Sequence, residues 1–93
     1  MNNNTGKRRT GRRMFKSALN TFRDMECFGA VQVDVRGSSM FQVWYLRQED
    51  LELDDEPYTH VMEVSYKDGN VYSRSRDINN DYTRNPWSPW RRW

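Results

Sequence analysis

The sequence predicts a small α+β domain in which one N-terminal amphipathic helix packs on a four-stranded antiparallel meander sheet. Apolar residues between Met14 and Met25 recur with the period of a helix, and those after Val31 alternate as they do in half-buried strands. Asp68 and Gly69 stand between two alternating segments, which strongly indicates a β-hairpin. A chain of 93 residues is long enough for one such domain, which we assign to residues 14–78.

The helix is predicted to begin near Met14 and to end before Gly29. Its apolar stripe consists of Met14, Phe15, Ala18, Leu19, Phe22 and Met25. A helix of about three turns is too short to be stable alone in water, so the stripe must pack on the sheet.

The first two strands are predicted at 31–36 and 40–47, with a turn at 37–39 between them. The first strand presents alternating valines on one face. The inward face of the second strand stays open, because Phe41, Val43 and Tyr45 compete for it with Met40, Trp44 and Leu46.

The third and fourth strands are predicted at 58–66 and 70–77. An Asp-Gly loop of two residues favours a type I′ turn, whose twist matches that of the flanking strands. The resulting register pairs Tyr66 with Val71 and the oppositely charged Glu63 with Arg74.

Both ends of the chain look different from the centre. Residues 1–13 contain no apolar residue except Met1, so we predict a flexible basic arm. The tail 79–93 is rich in Trp, Pro and Arg, and its two spaced prolines favour polyproline II geometry, with Trp87, Trp90 and Trp93 on one face. Because these rings have a large apolar area to hide, we expect at least one to dock on the open face of the sheet.

The inventory of catalytic residue types is poor. The single histidine, His60, alternates in phase with strand residues and is predicted to be a packed structural residue. The single cysteine, Cys27, is predicted to be a small buried group at the helix end. Two Cys or His residues are too few for a structural zinc site, and no glycine-rich phosphate loop is present. We therefore expect a protein that is not an enzyme and has no metal site and no cofactor.

No apolar segment is long enough for a membrane span, and none near the N-terminus has the form of a secretory signal. One cysteine allows no internal disulfide. These observations predict an intracellular, cytoplasmic protein that is not secreted. Association into a homodimer through unpaired sheet edges is left open.

The charges are segregated along the chain. Residues 1–23 carry seven basic residues and no acidic residue, and residues 49–56 carry six acidic residues and no basic one. Arginine suits bidentate phosphate contacts, and indole rings stack on unpaired bases. We therefore expect a small nucleic-acid-binding protein, for RNA or DNA, with a viral origin as one option. The residues assigned to this interface are Lys7, Arg8, Arg9, Arg12, Arg13, Lys16, Trp87, Trp90, Arg91, Arg92 and Trp93.

Two alternatives remain. The first is a protein-binding adaptor or inhibitor that acts through the acidic segment, the open sheet face and the tail. Its interface residues are Glu49, Asp50, Glu52, Asp54, Asp55, Glu56, Trp87, Trp90 and Trp93. The second is a structural subunit of a larger assembly. In a further interpretation that the sequence leaves open, the acidic segment binds no partner and simply neutralises the protein's own basic arm.

Overall fold

A computed structural model describes the backbone of residues 3–9 and all atoms of residues 10–46, 58–78 and 86–93. The elements are α1 (Asn3–Cys27), β1 (Val31–Val35), β2 (Met40–Tyr45), β3 (His60–Lys67), β4 (Asn70–Asp77) and β5 (Arg91–Arg92). Within the described residues the strands form one antiparallel sheet in the order β1-β2-β3-β4-β5. The helix packs on one face of this sheet, so the predicted α+β fold is confirmed, with a fifth strand added by the tail.

The helix begins at Asn3, so its predicted start near Met14 is wrong, and residues 3–13 form the first part of α1. Gly11 is buried against the β3–β4 turn, and a Cβ atom placed on it would lie 2.0 Å from the carbonyl oxygen of Gly69. Next to it, the Arg12 guanidinium carbon lies 5.1 Å from the centroid of the Tyr66 ring. This segment packs on the sheet through the glycine backbone and a cation–π contact. Neither contact involves an apolar side chain of the helix, so neither produces an apolar stripe in the sequence.

The helix ends in a Schellman motif. The Gly29 amide donates to the Glu26 carbonyl at 2.9 Å, and the Ala30 amide donates to the Met25 carbonyl at 3.0 Å. Gly29 adopts a φ of 78°, the left-handed conformation that this motif requires. The predicted end before Gly29 is therefore confirmed, and the chain turns directly into β1.

The β3–β4 hairpin has the predicted register, with Tyr66 opposite Val71 and Glu63 opposite Arg74. Both turn residues have positive φ, 54° at Asp68 and 84° at Gly69, as a type I′ turn requires. Because the register is fixed, the face on which each β4 side chain lies is fixed as well.

The core lies between α1 and the sheet. It consists of Phe15, Val31, Phe41, Val43, Val64 and Val71. Phe41 and Val43 are fully buried, so the open question about β2 is settled in favour of the face that they share. The Phe15 and Phe41 rings lie 5.2 Å apart in a tilted arrangement that is favourable for aromatic pairs. In the described part of the chain, no helix combines the length and apolar character that crossing a membrane requires.

Candidate nucleic-acid interface

One side of α1 carries four exposed basic residues, which we call the basic helix face: Arg12, Arg13, Lys16 and Arg23. At 3.6 residues per turn, Arg12, Lys16 and Arg23 lie within about 40° of one another around the helix axis. They extend over about 17 Å of its length. These three residues border the core stripe of the helix, since Phe15 lies about 60–100° from them around the axis. Arg13 lies about 160° from Phe15, on the solvent side. All four cations are exposed.

The tail forms the outer strand of the sheet, along β4. Arg91 lies opposite Ser73, and Arg92 lies opposite Tyr72. The Trp93 amide donates to the Val71 carbonyl at 2.9 Å, and the Ser88 amide donates to the Ser75 carbonyl at 2.8 Å. The tail therefore forms backbone hydrogen bonds with β4 at two places, Val71 and Ser75.

The tail tryptophans lie on both faces of the sheet. Trp87 and Trp90 contact side chains of β4 on the face opposite the helix, which we call the open face. The Trp93 indole nitrogen instead donates to the Ser73 hydroxyl, on the helix side, at 2.8 Å. The expectation of a single face for all three rings is thus wrong, because the chain at 91–92 is a strand with a period of two residues and not a polyproline II helix.

Two arginines of β4 hold the indole rings. The Arg74 guanidinium carbon lies 4.5 Å from the ring centroids of both Trp87 and Trp90, and the Arg76 carbon lies 5.3 Å from that of Trp87. Cation–π contacts of this kind gain strength when they are partly shielded from water. The prediction that at least one tail ring docks on the sheet is confirmed.

Arg74 is itself fixed by a buried carboxylate. Its Nε donates to Glu63 Oε1 at 2.7 Å, and its Nη2 lies 2.7 Å from the same oxygen. The other oxygen, Oε2, accepts a hydrogen bond from Gln42 Nε2 at 2.8 Å. Glu63 is 7 % exposed, so this hydrogen-bond network is largely shielded from water and holds Arg74 in position on the open face.

The two ends of the described chain meet at one end of the sheet. Gly11 of α1 packs on Gly69 of the hairpin turn, and Val71, two residues further along, pairs with Trp93. Directly opposite residues in an antiparallel pair share a face, so Arg91 lies on the same side of the sheet as α1. The structure thereby places basic residues from both ends of the sequence on the same side of the sheet.

A groove of about 460 Å³ lies on the open face at this same end. It is lined by Ser65, Lys67, Asp68, Tyr72 and Trp90. Of these residues, only Trp90 was predicted to lie at an interface. The predicted hairpin register implies that Ser65 lies opposite Tyr72, as the structure shows. This pairing could have indicated that the two side chains share one surface.

The remaining predicted interface residues have three outcomes. Lys7, Arg8 and Arg9 lie in α1 and not in a separate arm. Arg91 and Arg92 are exposed in β5. The acidic residues of 49–56 lie outside the described residues.

The histidine and the cysteine have different outcomes. His60 is buried; its ring lies 5.6 Å from that of Tyr45, and its Nδ1 lies 2.9 Å from the Thr59 hydroxyl, so the predicted packing is confirmed. Cys27 is exposed, and its predicted burial is wrong, because it lies on the opposite side of α1 from Phe22.

Comparisons with known proteins give no match: no family model, no curated protein and no solved structure is similar to this chain.

Proposed function

We propose that this protein binds nucleic acid, with the basic helix face on phosphates and the neighbouring Arg91 and Trp93 extending the contact. The observation that carries the proposal is the course of α1, which presents four exposed cations within about 100° around its axis. These are Arg12, Arg13, Lys16 and Arg23. A helix with cations along one side suits the grooves and backbones of nucleic acids, where phosphate contacts supply most of the affinity.

The charge pattern supports the proposal. Residues 1–23 contain seven basic and no acidic residues, so no carboxylate of this segment neutralises the basic helix face. Arg13 and Lys16 are exposed, and their guanidinium and ammonium groups reach water. Such a surface attracts a polyanion over about 8–10 Å at physiological ionic strength.

The test is a salt titration of binding to a labelled single-stranded RNA and a labelled DNA duplex of mixed sequence. We expect measurable affinity at low salt and a steep linear fall of log affinity with log salt concentration. The double variant Arg13→Ala/Lys16→Ala should lower the magnitude of that slope by about two units, one for each lost phosphate contact.

Arg36→Ala is the control, since it removes an exposed charge that pairs with Asp34 at 2.8 Å. Arg36 directly follows β1, which lies at the opposite edge of the sheet from β5. The substitution should leave both affinity and slope unchanged. Absence of binding at low salt, or equal effects of the double variant and the control, would contradict the proposal.

A protein partner is the second candidate, and one observation favours it. Phe28 is 89 % exposed at the end of α1, and Met25 beside it is 37 % exposed. Apolar side chains in such a position are typical of association surfaces. Self-association that Phe28→Ser abolishes, measured by sedimentation, together with no nucleic-acid binding, would favour this candidate and the homodimer that the sequence analysis left open.

A further inference from the structure

We infer that the groove on the open face holds an unpaired nucleobase of a single-stranded nucleic acid, with the base on Tyr72 and Trp90 and its phosphate near Lys67. This inference rests on the proposed function and assigns it a second, separate subsite. The basic helix face would bind any nucleic-acid backbone, whereas the groove would distinguish single strands from duplexes.

The register brings the required side chains to one face. Ser65 lies directly opposite Tyr72 on the neighbouring strand, and Arg92 lies opposite Tyr72 on the other side. Lys67, two residues beyond Ser65, lies on the same face of β3. The Tyr72 ring therefore lies between two strands that each carry a cation on this face, Lys67 on β3 and Arg92 on β5. Single-strand-binding surfaces combine aromatic rings and cations in this way.

The Trp90 ring is held in place before any ligand arrives. One contact of its indole is the Arg74 guanidinium at 4.5 Å, and Arg74 is fixed by the buried Glu63 carboxylate. Trp90 nevertheless remains 41 % exposed and lines the groove. A stacking surface that is already ordered loses little conformational entropy on binding.

The size and charge of the groove favour one nucleotide unit. Its volume of about 460 Å³ falls in the range of small-molecule sites. Lys67 is exposed and suits a phosphate. The Asp68 carboxylate offers an acceptor for an N–H group of a base, such as N3–H of thymine. A base pair inside a duplex has both faces covered by its neighbours and cannot offer a free face to Tyr72 or Trp90.

The test compares a short single-stranded oligothymidylate with a DNA duplex of the same length on the full chain. Trp90→Leu removes the stacking ring and keeps an apolar side chain. It should weaken single-strand binding by about 5- to 150-fold and leave duplex binding and its salt slope unchanged. Tyr72→Leu should have the same selective effect, and single-strand binding should quench indole emission less in Trp90→Leu than in the unmodified protein.

Trp44→Leu is the control, because Trp44 is a tryptophan of β2 that lies opposite Val61, away from the groove. It should change neither affinity. If Trp90→Leu lowers the unfolding midpoint, Lys67→Ala replaces it, since Lys67 is exposed and its loss should weaken single-strand binding alone.

Two outcomes separate the inference from the proposed function. The groove would be excluded as a base-binding site if these substitutions weakened single-strand and duplex binding equally, or if none of them weakened single-strand binding. The substitutions are Trp90→Leu, Tyr72→Leu and Lys67→Ala. Either result would leave the proposal for the basic helix face unaffected. No binding of either nucleic acid by the unmodified protein would overturn both.

Discussion

Arg74 reaches across the β3–β4 hairpin to Glu63 and places both Nε and Nη2 2.7 Å from a single carboxylate oxygen, Oε1. The carboxylate side chain is 9 % exposed and that of the arginine 28 % exposed. The pair therefore sits at the boundary between the sheet and the tail, where it orients the guanidinium on which Trp87 and Trp90 rest.

Replacing Glu63 by Gln should destabilise the protein. The amide keeps the shape of the side chain but removes the negative charge that compensates Arg74, and hydrogen bonds to charged groups contribute about 1.5–3 kcal/mol each. We expect the free energy of unfolding in urea to fall by about 1–3 kcal/mol.

Asp34→Asn is the matched control for this change. Asp34 pairs with Arg36 at a similar distance, 2.8 Å, but their side chains are 40 % and 57 % exposed. Pairs in water contribute about 0–1 kcal/mol, so this variant should unfold at nearly the same urea concentration as the unmodified chain. Equal effects of the two substitutions would show that burial does not distinguish the pairs.

The centre of the fold could be predicted from the sequence because its signals are local. The alternation around Asp68 and Gly69 and the preference of that dipeptide for a type I′ turn fixed the whole β3–β4 register. The start of α1 could not be predicted in this way. Its first part packs through Gly11 on Gly69, a contact between residues far apart in sequence that leaves no apolar periodicity.

Gly11→Ala tests that contact. In an exposed helix, alanine stabilises relative to glycine by about 1 kcal/mol. Here the added Cβ would lie 2.0 Å from the Gly69 carbonyl oxygen, so the helix must move away from the hairpin. We expect the substitution to lower the free energy of unfolding by about 1–3 kcal/mol.

Asn20→Ala provides the comparison, since Asn20 is an exposed residue of the same helix. It should leave stability unchanged or raise it slightly. If Gly11→Ala were also neutral or stabilising, the first part of α1 would not be docked on the hairpin.

The hairpin turn gives a further prediction. Gly69 has a φ of 84°, a conformation that a β-branched residue strongly resists. Gly69→Val should therefore lower the free energy of unfolding by more than about 1 kcal/mol, as measured by thermal or urea unfolding. An unchanged melting curve would mean that this turn does not limit the stability of the sheet.

The candidate site was predictable only in its residue types. Arg12, Trp90 and Arg91 were recognised because basic and aromatic residues cluster at the two ends of the sequence. Their location near the β3–β4 hairpin was not predictable, because it requires the tail to pair with β4. A strand of two residues has too short an alternation to be detected by periodicity.

The last prediction concerns this pairing of the tail. Deleting residues 86–93 removes the indole contacts with Arg74 and Arg76 and the hydrogen bonds to Ser73 and Ser75. Cation–π contacts contribute about 0.5–2 kcal/mol each, so the free energy of unfolding should fall by more than about 1 kcal/mol. In the unmodified protein, indole emission should already be blue-shifted, because Trp87 is half-buried.

Phe28→Ala serves as the control for the tail deletion, because its side chain is 89 % exposed and contributes little to the core. It should leave the unfolding midpoint where it is. An unchanged midpoint after the deletion, with water-like emission from the tail indoles before it, would mean that the tail does not pair with β4 in solution. The groove would then lack the Trp90 ring that lines it. The basic helix face would keep all of its residues, so the two surfaces can be tested independently.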